Sequence, residues 1–131
     1  MKKVFVNGYG SIGRRITQFL QEDPEIEVIG VGKYSPDENV NEALSKNLKV
    51  FVPERKMDSF SDFQISGTIE EALDNCDLVI DASPGGKGHL NKINLYEPKK
   101  LKAIYQGGET IYGEKAVSDL LFNSRANYEQ A

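Results

Sequence analysis

The sequence predicts an α/β protein built on a parallel sheet, on three observations. Short apolar runs recur along the chain, helical periodicities lie between them, and a glycine triplet joins the first run to the first helix. Strands that alternate with helices pair in parallel when each helix crosses back over the sheet. Such crossovers are right-handed.

Residues 2–7 carry Val4, Phe5 and Val6 in succession, the pattern of a strand buried on both faces. Gly8, Gly10 and Gly13 follow, and Ile12, Ile16, Phe19 and Leu20 then recur at helical spacing until Pro24. IEVIGV, residues 26–31, reads as a second strand. Pro36 and Asp37 open a helix with Val40, Ala43 and Leu44 on its apolar face, and LKVFV, residues 48–52, is a third strand stopped by Pro53. From Glu54 to Gln64 the chain is charged and irregular, with Phe60 and Phe63 as anchors. Thr68 and Glu71 form a capping-box pair, followed by Ile69, Ala72, Leu73 and Cys76 on one helical face. DLVIDA, residues 77–82, is a fourth strand that runs into the loop SPGGKG. Leu90 and Ile93 mark a further helix, and KAIYQ, residues 102–106, is a fifth strand that ends at Gly107-Gly108. The tail from Thr110 to Ala131 shows no clear period. The whole suits one domain over residues 1–131, with the strand order 3-2-1-4-5 of a dinucleotide-binding sheet. A sixth strand that would complete that sheet is not visible.

Composition narrows the function. With 39% hydrophobic and 27% charged residues the chain is of globular type. Its 16 Lys+Arg against 20 Asp+Glu leave a net charge of −4, which argues against a general nucleic-acid binder. Apolar runs such as Val4-Phe5-Val6 and Leu78-Val79-Ile80 are far too short to cross a bilayer, and no apolar stretch behind Lys2 and Lys3 makes a secretory signal. A single cysteine cannot close an internal disulfide. The expectation is a cytoplasmic protein with no membrane partner.

The glycine loop carries the functional signal. G-Y-G-S-I-G at residues 8–13 stands between a strand and a helix. There Gly8 allows a tight turn, Gly10 lets a pyrophosphate approach the backbone, and Gly13 lets the helix pack close to the strand. The helix beginning near Ser11 directs free N–H groups and its positive dipole end at the phosphates. An NAD site usually places Asp or Glu about 20 residues beyond the glycines. Here Gly32-Lys33-Tyr34-Ser35 fills that position, and no carboxylate appears until Asp37. Lys33 and Ser35 are therefore the candidates for a 2′-phosphate, which makes NADP the expected cofactor with NAD possible. The alternative is that Lys33 is a solvated loop charge.

The loops after the fourth and fifth strands lie beside the switch point where such sheets bind ligands. Ser83 and Pro84 on one, and Gly107 and Gly108 on the other, are candidates for the nicotinamide half of the cofactor; both loops also read as ordinary turns. Cys76 reads as a core residue. His89 has no cysteine or second histidine beside it, so no metal site and no triad is expected. Arg14 and Arg15 fall in the first turn of the glycine-loop helix, exposed by default and within reach of a phosphate. No nucleophile with its base is visible.

VNGYGSIGRR, VGKYSPD, VFVPE, DASPGGKG and IYQGGE, in this order and through the closing FNSRANYEQA, resemble the archaeal type of phosphorylating glyceraldehyde-3-phosphate dehydrogenase. The resemblance implies a Rossmann cofactor domain, use of NADP or of both cofactors, and a tetramer. It implies that Ser11, Ile12, Gly107 and Gly108 contact the cofactor and that Lys33 and Ser35 hold its 2′-phosphate. It also implies oxidation and phosphorylation of the aldehyde to 1,3-bisphosphoglycerate in glycolysis or gluconeogenesis.

In that family a sixth strand delivers a nucleophilic cysteine in an S-C-N-T-T motif, and a histidine further on assists. Neither motif occurs in these 131 residues, and Cys76 does not match the first. The leading expectation is a split enzyme, in which a second polypeptide supplies the catalytic domain and the two build a hetero-oligomer on the tetrameric core. This chain alone would then be inactive. A strand edge left open beside the fifth strand would favour such a partner. A free-standing NADP-binding sensor, with the tail folded over that edge, and an excised non-catalytic domain are the other readings.

Overall fold

The computed structural model describes residues 1–83 and 87–106 and the backbone of two short strands at 115–116 and 127–128. Its elements run β1 (Lys2–Asn7), α1 (Ser11–Gln21), β2 (Ile26–Gly32), α2 (Glu38–Ser45), β3 (Val50–Val52) and a 3₁₀ helix (Glu54–Phe60). Next come β4 (Gly67–Thr68), α3 (Ile69–Leu73), β5 (Leu78–Asp81) and α4 (Lys87–Asn91), which continues as a π turn (Lys92–Tyr96). β6 (Lys102–Tyr105), β7 (Lys115–Ala116) and β8 (Asn127–Tyr128) complete the order. One sheet holds all of them in the order β4-β3-β2-β1-β5-β6-β8-β7. The first six pair in parallel, so the fold is the Rossmann-type α/β sheet that the alternating pattern predicts, with helices on both faces.

Strand alternation builds the two faces. Val4 and Val6 of β1 point to one side with Val31, Val50, Val52 and Ile80, where Ile16 and Leu20 of α1 and Val40 and Ala43 of α2 cover them. Phe5 points to the other side with Val79 and Ala103, under Ile69, Ala72 and Leu73 of α3 and Tyr96 of the π turn. Burying residues on both faces is what near-continuous apolar runs require. A bulge in β2 shifts the register, so that Val4 pairs with Val28 but Phe5 pairs with Gly30. A Cβ on Gly30 would meet the Phe51 ring at 2.5 Å, so glycine there lets Phe51 lie flat on β2.

Several expectations are corrected. β3 spans three residues instead of five, because Leu48 reaches the core from outside the ladder. The charged stretch after Pro53 is the 3₁₀ helix, and Phe60 anchors it as a buried side chain beside the half-buried Phe63. β4 adds a strand beyond β3, outside the five that the pattern predicts. On α1, Ile16 and Leu20 face the core while Ile12 and Phe19 stay exposed, Phe19 at 75%. Leu90 and Ile93 are also exposed, and Leu95 and Tyr96 face the core in their place. α3 ends at Leu73, so Cys76 lies beyond the helix on which its spacing places it. The edge beside β6 is not bare: β8 from the tail pairs antiparallel with it, Ile104 opposite Tyr128 and Tyr105 opposite Asn127. Edge N–H and C=O groups that water would otherwise have to satisfy are thereby paired within the chain.

The capping box forms as its residue types require. Thr68 accepts the Glu71 N–H at 3.1 Å, and the Glu71 carboxylate accepts the Thr68 N–H at 2.7 Å. Thr68→Ala is expected to lower unfolding stability by about 1 kcal/mol in a denaturant titration, since a short helix has little else to hold its first turn. An unchanged midpoint would show that α3 is fixed by packing alone.

Candidate functional site

At the C-terminal end of β1 the backbone turns against its neighbours so closely that two glycines are dictated by the protein itself. Gly8 has φ +130°, and a Cβ there would stand 2.3 Å from the Ala82 carbonyl oxygen. A Cβ on Gly13 would stand 1.9 Å from the Gly8 carbonyl oxygen. Gly10 is different. Its φ of −95° and ψ of −153° are extended backbone, and among the described residues a Cβ there would meet nothing within 4 Å outside its chain neighbours and its own helix. Gly10 is also the N-cap of α1, with no side-chain cap and no acidic residue in the first turn. The N–H groups of Ser11, Ile12 and Gly13 have no partner within the helix, and its positive end is left uncompensated. Both Ser11 and Ile12 are exposed there.

A groove of about 230 Å³ opens on this turn, lined by Gly8, Tyr9, Gly10, Lys33, Ser35 and Asp37 among others. Tyr9 is buried, and its hydroxyl donates to Glu42 at 3.2 Å while Arg14 pairs with the same carboxylate at 2.7 Å. Burial, with the Glu42 charge beside it, pushes the Tyr9 phenol up to about 12. The hydrogen bond from Arg14 holds the Glu42 carboxyl below its usual range. This clamp ties the glycine turn and α1 to α2. It also takes Arg14 away from the phosphate position considered for it.

Lys33 is not a solvated loop charge. The residue is only 5% exposed, its N–H donates to the Phe51 carbonyl at 2.9 Å, and its Nζ pairs with the Asp37 carboxylate at 2.7 Å. Ser35 is exposed at the rim of the groove.

Behind the groove lies a ring of five side chains, four of them buried and Asn91 half-buried. Tyr34 donates to Asn7 Oδ1 at 3.0 Å, and Asn7 Nδ2 donates to the Tyr96 hydroxyl at 2.8 Å. The Tyr96 hydroxyl donates to Asp81 Oδ2. Asn91 closes the ring by donating to Asp81 at 3.0 Å and to the Tyr34 hydroxyl at 3.2 Å. Asp81 also accepts the N–H and hydroxyl of Ser83. Burial, and then the Asp81 charge, push both the Tyr34 and Tyr96 phenols far up, so both stay protonated donors. A second cavity of about 380 Å³ adjoins the ring, lined by Tyr34, Pro53, Arg55, Lys87, Leu90 and Asn91 among others, with the Lys87 ammonium 5.8 Å from the centre of the Tyr34 ring.

No family model matches the chain. Glyceraldehyde-3-phosphate dehydrogenase of Hyperthermus butylicus is 39% identical over 131 residues, 98% of this chain and 37% of that protein. The dehydrogenase of Methanothermus fervidus is 40% identical over all of this chain and 38% of its own length, and that of Thermoplasma volcanium 39% identical over the same shares. Over its whole length the chain is similar to the first part of these archaeal glyceraldehyde-3-phosphate dehydrogenases. It spans under two fifths of the length of the curated dehydrogenases that it matches.

Of the residues singled out from the sequence, Gly8, Gly10, Ser11, Ile12, Gly13, Lys33 and Ser35 gather at the turn and its groove. Ser83 is buried and its hydroxyl is held by Asp81, which orients the loop instead of presenting a free group. Pro84, Gly107 and Gly108 lie outside the described residues, as does the His89 side chain. Cys76 is half-buried, its Sγ 3.7 Å from the Leu73 carbonyl oxygen. Burial, and then the neighbouring Asp77, push its thiol up to about 11, which is wrong for a nucleophile. The ring of Asn7, Tyr34, Asp81, Asn91 and Tyr96 escaped the sequence reading, because its members are separated by up to 89 residues. Only polar side chains at the ends of apolar strands, as in FVN and VID, hint at it. Tyr96→Phe would leave Asp81 and Asn7 each short of a buried partner, so a loss of about 1–3 kcal/mol is expected on thermal or denaturant unfolding. A neutral substitution would mean that water replaces the hydroxyl.

Proposed function

We propose that these residues are the NADP-binding part of a glyceraldehyde-3-phosphate dehydrogenase. Gly10 is the observation that carries this reading. Among the described residues nothing excludes a side chain there, by backbone conformation or by contact, so a glycine at this place supports a ligand laid against the turn. An N-terminal helix end without an acidic cap suits a pyrophosphate. The adjoining cavity, walled by Tyr34, Pro53 and Leu90, suits an adenine ring, and Lys33 beside Ser35 suits the 2′-phosphate; NAD would occupy the same track without that last contact. When bound, the cofactor supplies a hydride acceptor. This chain's part is to hold and orient it through the α1 N–H groups, the Lys33 ammonium and the loop that Asp81 fixes through Ser83.

The catalytic thiolate comes, in this reading, from a catalytic-domain polypeptide of the same cytoplasmic enzyme, which joins this one in a hetero-oligomer on a tetrameric core. Two observations support it: the half-buried Cys76 with its raised thiol, and the exposed Phe19 and Ile12 on α1, which offer a partner an apolar contact. Mild isolation from the native source, with mass spectrometry of what co-purifies and an assay with glyceraldehyde 3-phosphate, phosphate and NADP, tests the partner. A second chain that carries a catalytic cysteine, present in stoichiometric amount and needed for activity, is expected. A continuous longer polypeptide with the same activity would end the split-chain part of the reading.

Gly10→Ser and Lys33→Glu test the cofactor site by calorimetric titration. Serine is at least as good an N-cap as glycine, so the first variant should keep or gain stability while losing about tenfold or more in NADP affinity. Lys33→Glu should weaken NADP by about tenfold to a hundredfold, the worth of one charge-assisted hydrogen bond, and spare NAD. Wild-type NADP affinity in both variants would sink the site.

A further inference from the structure

We propose that Asp37 sets the balance between the two nicotinamide dinucleotides, because its carboxylate stands on Lys33 where a 2′-phosphate would stand. The inference rests on the cofactor reading above and deepens it. Lys33 Nζ lies 2.7 Å from Asp37 Oδ1. The same oxygen accepts the Asn39 N–H at 3.0 Å, which makes Asp37 the N-cap of α2. The carboxylate is therefore anchored by the helix it caps, and the ion pair is not a chance meeting of two free side chains.

Neighbouring contacts keep this loop in place. Asp37 N–H donates to the Ser35 carbonyl at 2.9 Å. The Tyr34 carbonyl accepts Lys56 Nζ at 2.8 Å, and the Tyr34 hydroxyl belongs to the buried ring. A 2′-phosphate arriving at Lys33 must then either share the ammonium with a fixed carboxylate or push that carboxylate off its cap. Like charges at such range repel, and displacement of an N-cap costs stability. A ribose 2′-hydroxyl meets neither penalty, and it can donate to Asp37. Lys33 thus favours NADP while Asp37 opposes it, and the pair holds the site between the two cofactors.

Asp37→Asn and Asp37→Ser remove the charge while keeping a side-chain oxygen that caps α2. Calorimetric titration of the full chain with NADP⁺ and NAD⁺ should show the NADP⁺-to-NAD⁺ affinity ratio rising about tenfold in both variants, the effect of removing one nearby like charge. Adenosine 2′,5′-bisphosphate against adenosine 5′-monophosphate should show the same rise, which localises it to the 2′-phosphate. An unchanged ratio, or one that moves toward NAD⁺, in variants that melt like the wild type overturns the role of Asp37 and leaves the cofactor site standing. If the wild type binds none of the four nucleotides, the cofactor reading falls and the inference falls with it.

Discussion

Everything at the working end of this protein depends on how closely three backbones meet below the glycine turn. Gly8 is pressed against the Ala82 carbonyl of the loop after β5, and Gly13 of α1 is pressed against the Gly8 carbonyl. These approaches fix where β1 ends, where α1 begins and how far apart β1 and β5 stand at their C-terminal ends. A side chain at either position would push the helix off the sheet or spread the two strands. The helix axis would then no longer aim its free N–H groups across the switch point, where ligands bind in open α/β sheets.

The buried ring extends the same control to both sides of the turn. Asn7 closes β1, Asp81 closes β5, Tyr34 follows β2, and Asn91 and Tyr96 come from the segment that crosses to β6. One chain of donors runs from Asn91 through Tyr34, Asn7 and Tyr96 to a single carboxylate. Each oxygen of that carboxylate has two donors, so the buried charge is satisfied. Fully satisfied networks of this kind specify one arrangement, because any shift leaves a polar group unpaired in the interior. The chain after β2 at Tyr34 and the chain after β5 at Ser83 are thereby held by one set of bonds.

Much of this was legible in the sequence, for reasons that are local. Apolar triplets such as Val4-Phe5-Val6 between turn signals read as doubly buried strands, and the capping box at Thr68 is a contact between residues three apart. The glycine spacing announced the turn because its steric demands fall within six residues. Other features were hidden because they depend on distant partners. The sign of the environment at Lys33 could not be read from Lys33 and Ser35 alone, since Asp37 folds back upon it through the start of α2. Phe19 satisfies helical spacing for the core but falls on the far side of α1, because Ile16 and Leu20 already cover that face of the sheet. The tail's cover of the edge beside β6 was open only as one reading among three, as two-residue strands carry no periodicity that would locate them.

The site separates binding from bond-making. Around the glycine turn several titratable side chains already have fixed partners: Tyr9 and Arg14 share Glu42, Lys33 holds Asp37, and Asp81 gathers the ring. Groups so committed position their neighbours, and burial raises the phenols of Tyr9, Tyr34 and Tyr96, which keeps them protonated. A general base must stand near neutrality within reach of its proton, and a nucleophilic thiol must be exposed and easily ionised. Cys76 is neither. Among the described residues, those around the turn therefore offer fixed positions and no acid, base or nucleophile of their own, and in the proposed reading such a rigid, prepaid geometry is what would let a nucleophile outside them react in a single orientation.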